Sequence, residues 1–152
     1  MTPGVPLLDG KEECERLMNE AISFAEKMLR KRKEFYPYAY VLRPNGEVAM
    51  IAGYDGTEKP KSQDIIDILR TSLMDEAAAA RVRATAIVYD VRVQLSAGEK
   101  SDAIAVALDH RDGFSCIMLF PYSIRWMEVK IGTPLRNENP LSVFHSLPAT
   151  KH

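Results

Sequence analysis

The sequence lacks most of the features that would assign it to a chemical class. Among its 152 residues there are two cysteines, three histidines and one tryptophan, and neither a Gly-rich nucleotide-binding loop nor an H-E-x-x-H motif occurs. The cysteines and histidines do not have the spacing of metal ligands, so we predict neither a metal site nor a cofactor. No apolar run approaches the roughly 20 residues that cross a bilayer.

Charge of one sign is equally absent. The 20 basic and 21 acidic residues leave a formal net charge of -1 at pH 7, which gives no general attraction to nucleic acid or to an anionic membrane. Residues 1–10 have neither the basic stretch nor the apolar stretch of a signal peptide. We therefore expect a cytoplasmic protein that does not associate with membranes, and nucleic acid is not the partner we expect.

The composition that remains is that of one globular domain. With 46% hydrophobic and 27% charged residues, a chain of this length can bury one ordinary core. We interpret residues 1–152 as a single domain, in which residues 1–9 form an N-terminal arm and residues 10–122 form the core. The pattern does not define the elements of the C-terminal segment, residues 123–152.

A first helix is predicted from Asp9 to about Lys33. Asp9 followed by Glu12 has the spacing of a capping box, in which side chains satisfy exposed backbone N–H groups. Apolar residues recur at intervals of three and four, which predicts one buried stripe. The stripe consists of Cys14, Leu17, Met18, Ala21, Ile22, Ala25, Met28 and Leu29. The closing basic run, residues 30–33, suits the negative end of the helix dipole, with anion or nucleic-acid binding as the alternative.

A hairpin and a second helix follow. Two strand-like stretches, residues 38–43 and 47–53, flank Asn45-Gly46, which predicts a type I′ turn. Ser62 is placed to cap a helix that reaches about Arg81. The buried stripe of this helix consists of Ile65, Ile66, Leu69, Leu73, Ala77 and Ala80.

Three further strands are predicted at residues 84–94, 102–110 and 114–122, each rich in Val, Ile or aromatic residues. A two-residue turn at Asp112-Gly113 would place Asp109 opposite Cys116. Alternation of side chains then makes this last hairpin apolar on both faces, so each face needs a cover.

The element order α-β-β-α-β-β-β predicts an α+β fold with a five-stranded antiparallel sheet. The helical crossover between the first hairpin and the last three strands favours the strand order 2-1-5-4-3, with helices packed on both faces. This arrangement resembles profilin-like and roadblock-type domains in topology alone, which implies no function.

Several short blocks, taken together, resemble a family of small uncharacterised bacterial proteins. The blocks are Tyr54-Asp55-Gly56, Ser62-Gln63 with Ile66-Asp67 and Leu69, Arg83-Ala84, Tyr89-Asp90-Val91-Arg92, Asp102-Ala103-Ile104-Ala105-Val106, Asp109-His110-Arg111-Asp112-Gly113 and Phe120-Pro121-Tyr122. The resemblance covers about residues 35–122. The family has no assigned activity, so the resemblance implies a domain family and carries over no functional residue.

Cys116 is the one residue that invites a test for nucleophilic catalysis. Consecutive strand residues point to opposite faces, so His110 is expected to project away from Cys116, while Asp109 across from it would raise the thiol pKa. We interpret Cys116 and Cys14 as reduced, buried thiols.

Asp90 and Arg92 interrupt an apolar strand with a spacing of two and therefore share a face. Asp102 is expected opposite Arg92 across the loop at residues 96–100. In the proposed strand order this strand lies at an edge, where charges discourage edge-to-edge aggregation. The alternative is a charged recognition site.

Aromatic residues concentrate near the predicted strand ends. They are Phe35, Tyr36, Tyr38, Tyr40, Tyr54, Tyr122 and Trp126. We interpret them as core or rim packing. The alternative is a pocket near Tyr54-Asp55, lined also by Tyr38 and Tyr122.

The sequence therefore favours a non-catalytic module that binds a protein partner or a second copy of itself. No catalytic constellation is present, and two helices leave little to cover a sheet with two apolar faces. The alternative is a small-molecule sensor or enzyme that uses the tyrosine-lined pocket. The candidate binding residues are Tyr38, Tyr54, Asp55, Asp90, Arg92 and Tyr122.

Overall fold

The structure is a computed structural model that describes residues 9–52 and 60–144. These residues form two helices and seven strands, and they confirm the α+β class. The elements are α1 (Gly10–Arg32), β1 (Tyr38–Leu42), β2 (Val48–Ala52), α2 (Ser62–Ala78), β3 (Ala84–Gln94), β4 (Lys100–His110), β5 (Ser115–Arg125), β6 (Glu128–Ile131) and β7 (Leu135–Asn137). Neither described helix is both long and apolar enough to cross a membrane.

The helices begin differently from one another. In α1 the Asp9 carboxylate accepts the Glu12 N–H at 2.8 Å, which confirms the predicted cap. Lys33, with φ 63°, ends the helix in the left-handed conformation. The N-cap of α2 is Lys61, whose side chain makes no capping hydrogen bond, so the prediction that Ser62 caps this helix is wrong. The helix also ends at Ala78, a few residues before the predicted Arg81.

The hairpins β1–β2, β3–β4 and β4–β5 share one kind of loop. Each loop has three residues and ends in a glycine with positive φ, 91° at Gly46, 86° at Gly98 and 108° at Gly113. A left-handed glycine in last position is typical of three-residue hairpin loops. The predicted two-residue turns at Asn45-Gly46 and Asp112-Gly113 are therefore wrong, although both hairpins form.

The longer loop shifts the β4–β5 register by one residue. Leu108, rather than Asp109, lies opposite Cys116, and Asp109 lies opposite Ser115. Because the side-chain period of a strand is two, this shift exchanges the faces of β5 relative to the prediction. Both faces of the hairpin are nevertheless apolar, as predicted.

The sheet is larger than predicted and is ordered differently. Its order is β2-β1-β3-β4-β5-β6, and β7 also pairs with β5. The prediction of five strands in the order 2-1-5-4-3 is wrong, because β3 rather than β5 pairs with β1. The two additional strands lie in residues 123–152, where the sequence pattern predicts no elements.

Pro121 gives a physical reason for the observed order. A proline has no N–H to donate to a neighbouring strand, so it disfavours a fully paired central position. On the outer side of β5, β7 pairs with residues 117–119 and β6 with residues 122–125, so Pro121 falls between them. The first five residues of β3 are all buried and suit the central place.

The two faces of the sheet have different covers, which confirms the predicted packing of helices on both faces. On one face α1 packs through Cys14, Leu17, Ala21, Ala25 and Leu29. On the other face α2 packs together with Val143 and Phe144 of the C-terminal segment. The sheet faces therefore need no second copy of the chain as a cover.

Candidate functional site

Three of the six predicted binding residues come together at one end of the sheet. The Tyr122 hydroxyl donates to the Asp90 carboxylate, with distances of 2.8 and 3.0 Å to its two oxygens. Arg92 lies directly opposite Asp102, as predicted, and its guanidinium is 3.2 Å from the Asp102 carboxylate. Since Asp102 is also paired with Tyr122, all four side chains lie on the α1 face of the sheet.

Ionisation of the Asp90–Tyr122 pair is constrained by its surroundings. Partial burial raises the pKa of Asp90 above its ordinary value, although the hydrogen bond from Tyr122 acts in the opposite direction. Burial raises the pKa of Tyr122, and the nearby Asp90 carboxylate raises it further. The phenol is therefore a fixed donor whose proton is already engaged, so the pair suits rigid presentation of a surface better than proton transfer.

The predicted reason for charges in β3 holds for only half of the strand. β1 pairs with residues 84–88, so β3 is internal there and is not an edge strand along its whole length. In the described part of the chain, residues 89–94 project beyond β1 and pair with β4 alone. Asp90 and Arg92 belong to this projecting half.

Tyr38 belongs to the core. It is 2% exposed, and its hydroxyl donates to the Ala21 carbonyl at 2.7 Å. Its ring makes edge contacts with Phe24, Phe35 and Tyr40 at centroid distances of 4.9, 5.7 and 6.0 Å. Burial raises the pKa of Tyr38. The other two predicted binding residues, Tyr54 and Asp55, lie outside the described residues.

The cysteine thiols are poor candidates for nucleophiles. Cys14 and Cys116 are 0% and 3% exposed, and burial raises the pKa of each thiol. The predicted reason was wrong, however, because the observed register puts His110 on the same face as Cys116. Burial, and not the direction of His110, disfavours the thiolate.

A buried polar network, which the sequence did not indicate, surrounds Glu13. Its carboxylate accepts two hydrogen bonds from Arg83, at 3.0 and 2.5 Å, and lies 2.7 Å from His110 Nε2. His110 Nδ1 accepts the Asp112 N–H at 3.0 Å, so the proton of a neutral ring is on Nε2. The Asp112 carboxylate accepts the Gly10 N–H at 2.9 Å. The network therefore joins the first turn of α1 to the residue that precedes β3, to the end of β4 and to the β4–β5 loop.

Gly10 is required for this junction. A Cβ added at Gly10 would collide with the Asp112 carboxylate. The glycine thus lets Asp112 approach the backbone at the start of α1. Its partners are separated by about a hundred residues in the chain, which explains why no local pattern indicates the contact.

The described surface has shallow clefts of different character. A cleft of about 220 Å³ lies between α1 and the outer strands. It is lined by Lys11, Glu15, Met18, Leu108, Phe114, Cys116, Met118 and Arg136. Its charged lining residues, Lys11, Glu15 and Arg136, are all exposed. Among the described residues, no three His, Cys, Asp or Glu side chains converge to hold a metal ion.

Among the described residues, the most exposed apolar group lies at the tip of the β5–β6 hairpin. Trp126 is 92% exposed and Met127 is 77% exposed, and together they form the two-residue turn between Arg125 and Glu128. Trp126 has φ 60°, in a region that bulky residues rarely adopt. A cleft of about 440 Å³ beside the tip is also lined by Arg125, Glu128 and Lys130.

Sequence reasoning placed Trp126 with the packing aromatics, and the structure shows that it packs against almost nothing. The residues Arg125-Trp126-Met127-Glu128 contain no glycine, asparagine or proline, so no turn signal marks this hairpin. Searches among family models, curated proteins and solved structures find no match for the chain.

Proposed function

We propose that the protein is a non-catalytic cytoplasmic module that binds a protein partner through the tip of its β5–β6 hairpin. The observation that carries this proposal is the conformation and exposure of Trp126, which has φ 60° and is 92% exposed. A bulky apolar residue held in this way contributes almost nothing to the core. Because its indole is exposed, Trp126 is available to contact another protein.

The backbone at Trp126 gives the energetic side of the argument. A residue other than glycine in a sparsely populated positive-φ conformation costs about 1–3 kcal/mol. With 92% exposure, the indole makes few contacts that could offset this cost. Two-residue hairpin turns with positive φ at the first central residue strongly favour glycine there. A tryptophan in this place is therefore unfavourable for folding and favourable for recognition.

The composition of the tip fits the anatomy of a protein interface. Tryptophan is enriched among residues that contribute most to binding, and methionine adapts its shape to different partners. Arg125, Glu128 and Lys130 surround the apolar tip with charge of both signs. A central apolar anchor within a polar rim is the arrangement found in many transient interfaces.

The polar residues described above lie toward the base of the hairpin and support its presentation. They are Asp90, Arg92, Asp102 and Tyr122. Tyr122 is the third residue before Arg125 on β5, and its hydroxyl is tied to Asp90 on β3. Arg92 and Asp102 form an exposed pair beside it, with side chains that are 65% and 52% accessible. We assign Asp90 and Tyr122 a positioning role, and Arg92 and Asp102 a place on the polar rim.

Replacing Trp126 with glycine is expected to separate binding from stability. Partner affinity should fall by about 30-fold or more, since loss of an interface hot spot removes about 2 kcal/mol or more. The free energy of unfolding should rise by about 1 kcal/mol, because relief of backbone strain outweighs the greater chain entropy of glycine. Titration calorimetry with the purified partner and chemical denaturation measure the two effects.

The partner can be found with a photo-crosslinking amino acid at position 127, next to the anchor. The matched control carries the same amino acid at Ile68, which is 38% exposed on α2. A protein that crosslinks at position 127 and not at position 68 is then purified for the titration. Equal affinity of wild type and Trp126→Gly for that protein, or crosslinking at both positions alike, would refute the proposal.

A further inference from the structure

The two edges of the sheet are protected very differently. The outer side of β5 is covered by the short strands β6 and β7, which carry Glu128, Lys130 and Arg136. Among the described residues the opposite edge is β2, with the sequence Val-Ala-Met-Ile-Ala. Natural sheets block open edges with charges, prolines or bulges, because unpaired strands associate. None of these devices is present in the five residues of β2.

The direction of the hydrogen bonds identifies which groups of β2 face outward. The Arg43 N–H donates to the Glu47 carbonyl at 2.8 Å, so this opposed pair is a hydrogen-bonded one. Hydrogen-bonded and non-hydrogen-bonded pairs alternate along an antiparallel ladder. Ala49 and Ile51 therefore bond to β1, whereas the N–H and C=O groups of Val48, Met50 and Ala52 point away from it.

The side chains of β2 are uncharged, and no strand in the described part of the chain pairs with its outer side. Val48 packs against the α1-side core, and Ala49 and Ile51 pack against the α2-side core, each of them only partly buried. Met50 is 41% exposed at the middle of the strand. A further strand beside β2 would therefore meet apolar side chains above and below the sheet and would extend both cores.

We propose that β2 pairs in antiparallel fashion with β2 of a second copy of the chain, about a two-fold axis at Met50. In this register Val48 lies opposite Ala52 of the partner subunit, and Ala49 lies opposite Ile51 of the partner subunit. Each outward pair exchanges two backbone hydrogen bonds, which gives about six in all. The two sheets become one continuous sheet.

The strand complements itself in shape and charge. About the two-fold, each large side chain faces a small one, and Met50 faces its own equivalent. No charged side chain of β2 is brought against a like charge. An isologous contact of this kind closes on itself, so it ends at a dimer in which the β2 edges of both copies are paired.

The proposed dimer is independent of the hairpin tip. β2 lies at one edge of the sheet and the β5–β6 hairpin at the other, so both surfaces can be used at once. A strand of five residues forms a small interface, and interfaces below about 1,200 Å² are typical of weak, transient association. We therefore expect a dimer whose population depends on concentration.

Charge placed on the β2 edge should abolish the dimer. Sedimentation equilibrium of the wild type should show mass rising with concentration from 17.1 kDa toward twice that value. Met50→Lys should weaken self-association about tenfold or more, because two ammonium groups are brought together across the axis. Met50→Pro should do the same, since it removes an outward N–H that does not bond to β1.

The matched control is Leu135→Lys, which adds the same charge at a residue of similar exposure, 43%, on the opposite edge. Its self-association should equal that of the wild type. Circular dichroism and thermal denaturation verify that each variant remains folded. Equal weakening in Leu135→Lys and Met50→Lys would show a general charge effect and would overturn the assignment to β2.

Amide hydrogen exchange followed by NMR then tests the register. The amides of Val48, Met50 and Ala52 should become protected as the concentration rises, whereas those of Ala49 and Ile51 should be protected at all concentrations. A monomer at every concentration, or a dimer in which the three outward amides still exchange fast, would overturn the proposal. Either result leaves the proposed role of Trp126 untouched, since that role is measured with a separate partner.

Discussion

Replacing Glu13 with alanine is expected to lower the free energy of unfolding by about 3–5 kcal/mol, the usual cost of breaking a buried ion pair by removing one partner. Glu13 is 6% exposed and accepts hydrogen bonds from both Arg83 and His110. Without the carboxylate, the Arg83 guanidinium loses two hydrogen bonds and the His110 ring loses its acceptor. Urea denaturation of the two proteins measures the difference.

Glu26 on the same helix provides the control. It is 3.1 Å from Arg30 in an exposed pair of the i,i+4 type, which contributes about 0.5 kcal/mol or less. Glu26→Ala should therefore denature almost as the wild type does. If Glu13→Ala and Glu26→Ala lose the same amount of stability, the buried network does not join α1 to the sheet as described.

The same network predicts how acid affects stability. Burial opposes ionisation of Glu13, but the hydrogen bonds from His110 and Arg83 prevail and lower its pKa below the ordinary value of 4.5. A lowered folded-state pKa stabilises the protein fully above about pH 4.5, and this contribution is lost as the pH falls through the folded-state value. The wild type should therefore lose more stability on acidification than Glu13→Gln, in which the carboxylate cannot titrate.

Replacing Asp109 with alanine should release the C-terminal segment from the α2 side of the sheet. The Asp109 carboxylate is fully buried and accepts the N–H groups of Val143 and Phe144, the latter at 2.8 Å. Leaving these buried amides without an acceptor should lower the free energy of unfolding by about 2–4 kcal/mol. Urea denaturation and the exchange rates of the two amides measure the effect.

Asp109→Asn is the conservative comparison, because it keeps the shape and one carbonyl acceptor. It should lose less stability than Asp109→Ala and should keep part of the amide protection. Val143 and Phe144 remain 0% and 6% exposed only while the segment is held. Unchanged protection of both amides in Asp109→Ala would show that apolar packing alone holds the segment.

The sequence was most informative where local rules decide the structure. The cap at Asp9, the buried stripes of both helices and the hairpin at Gly46 depend on spacing and on residue type within a few positions. Ala80 is the exception: it was predicted in the buried stripe of the second helix, but it is exposed and lies beyond the end of α2 at Ala78. The predicted β4–β5 register was wrong because a two-residue and a three-residue loop share the same Asp-Gly signal. A difference of one residue in loop length exchanges the two faces of the following strand.

Long-range features were beyond local rules. The observed strand order is consistent with Pro121, which disfavours a fully paired central position for β5. The network around Glu13 joins residues 70 and 97 positions apart, so spacing could not indicate it. The exposure of Trp126 was hidden for another reason: its turn contains none of the residues that usually mark turns, and an aromatic residue at a strand end more often packs inward.

The position of Trp126 also determines what intrinsic tryptophan fluorescence can measure in this protein. Trp126 is the only tryptophan in the chain, and 92% of it is already in contact with water in the native state. Its fluorescence should therefore shift little on unfolding, so the emission maximum is a poor measure of denaturation. By the same reasoning, a blue shift of the emission in the folded protein reports contact at the hairpin tip alone, without any added label.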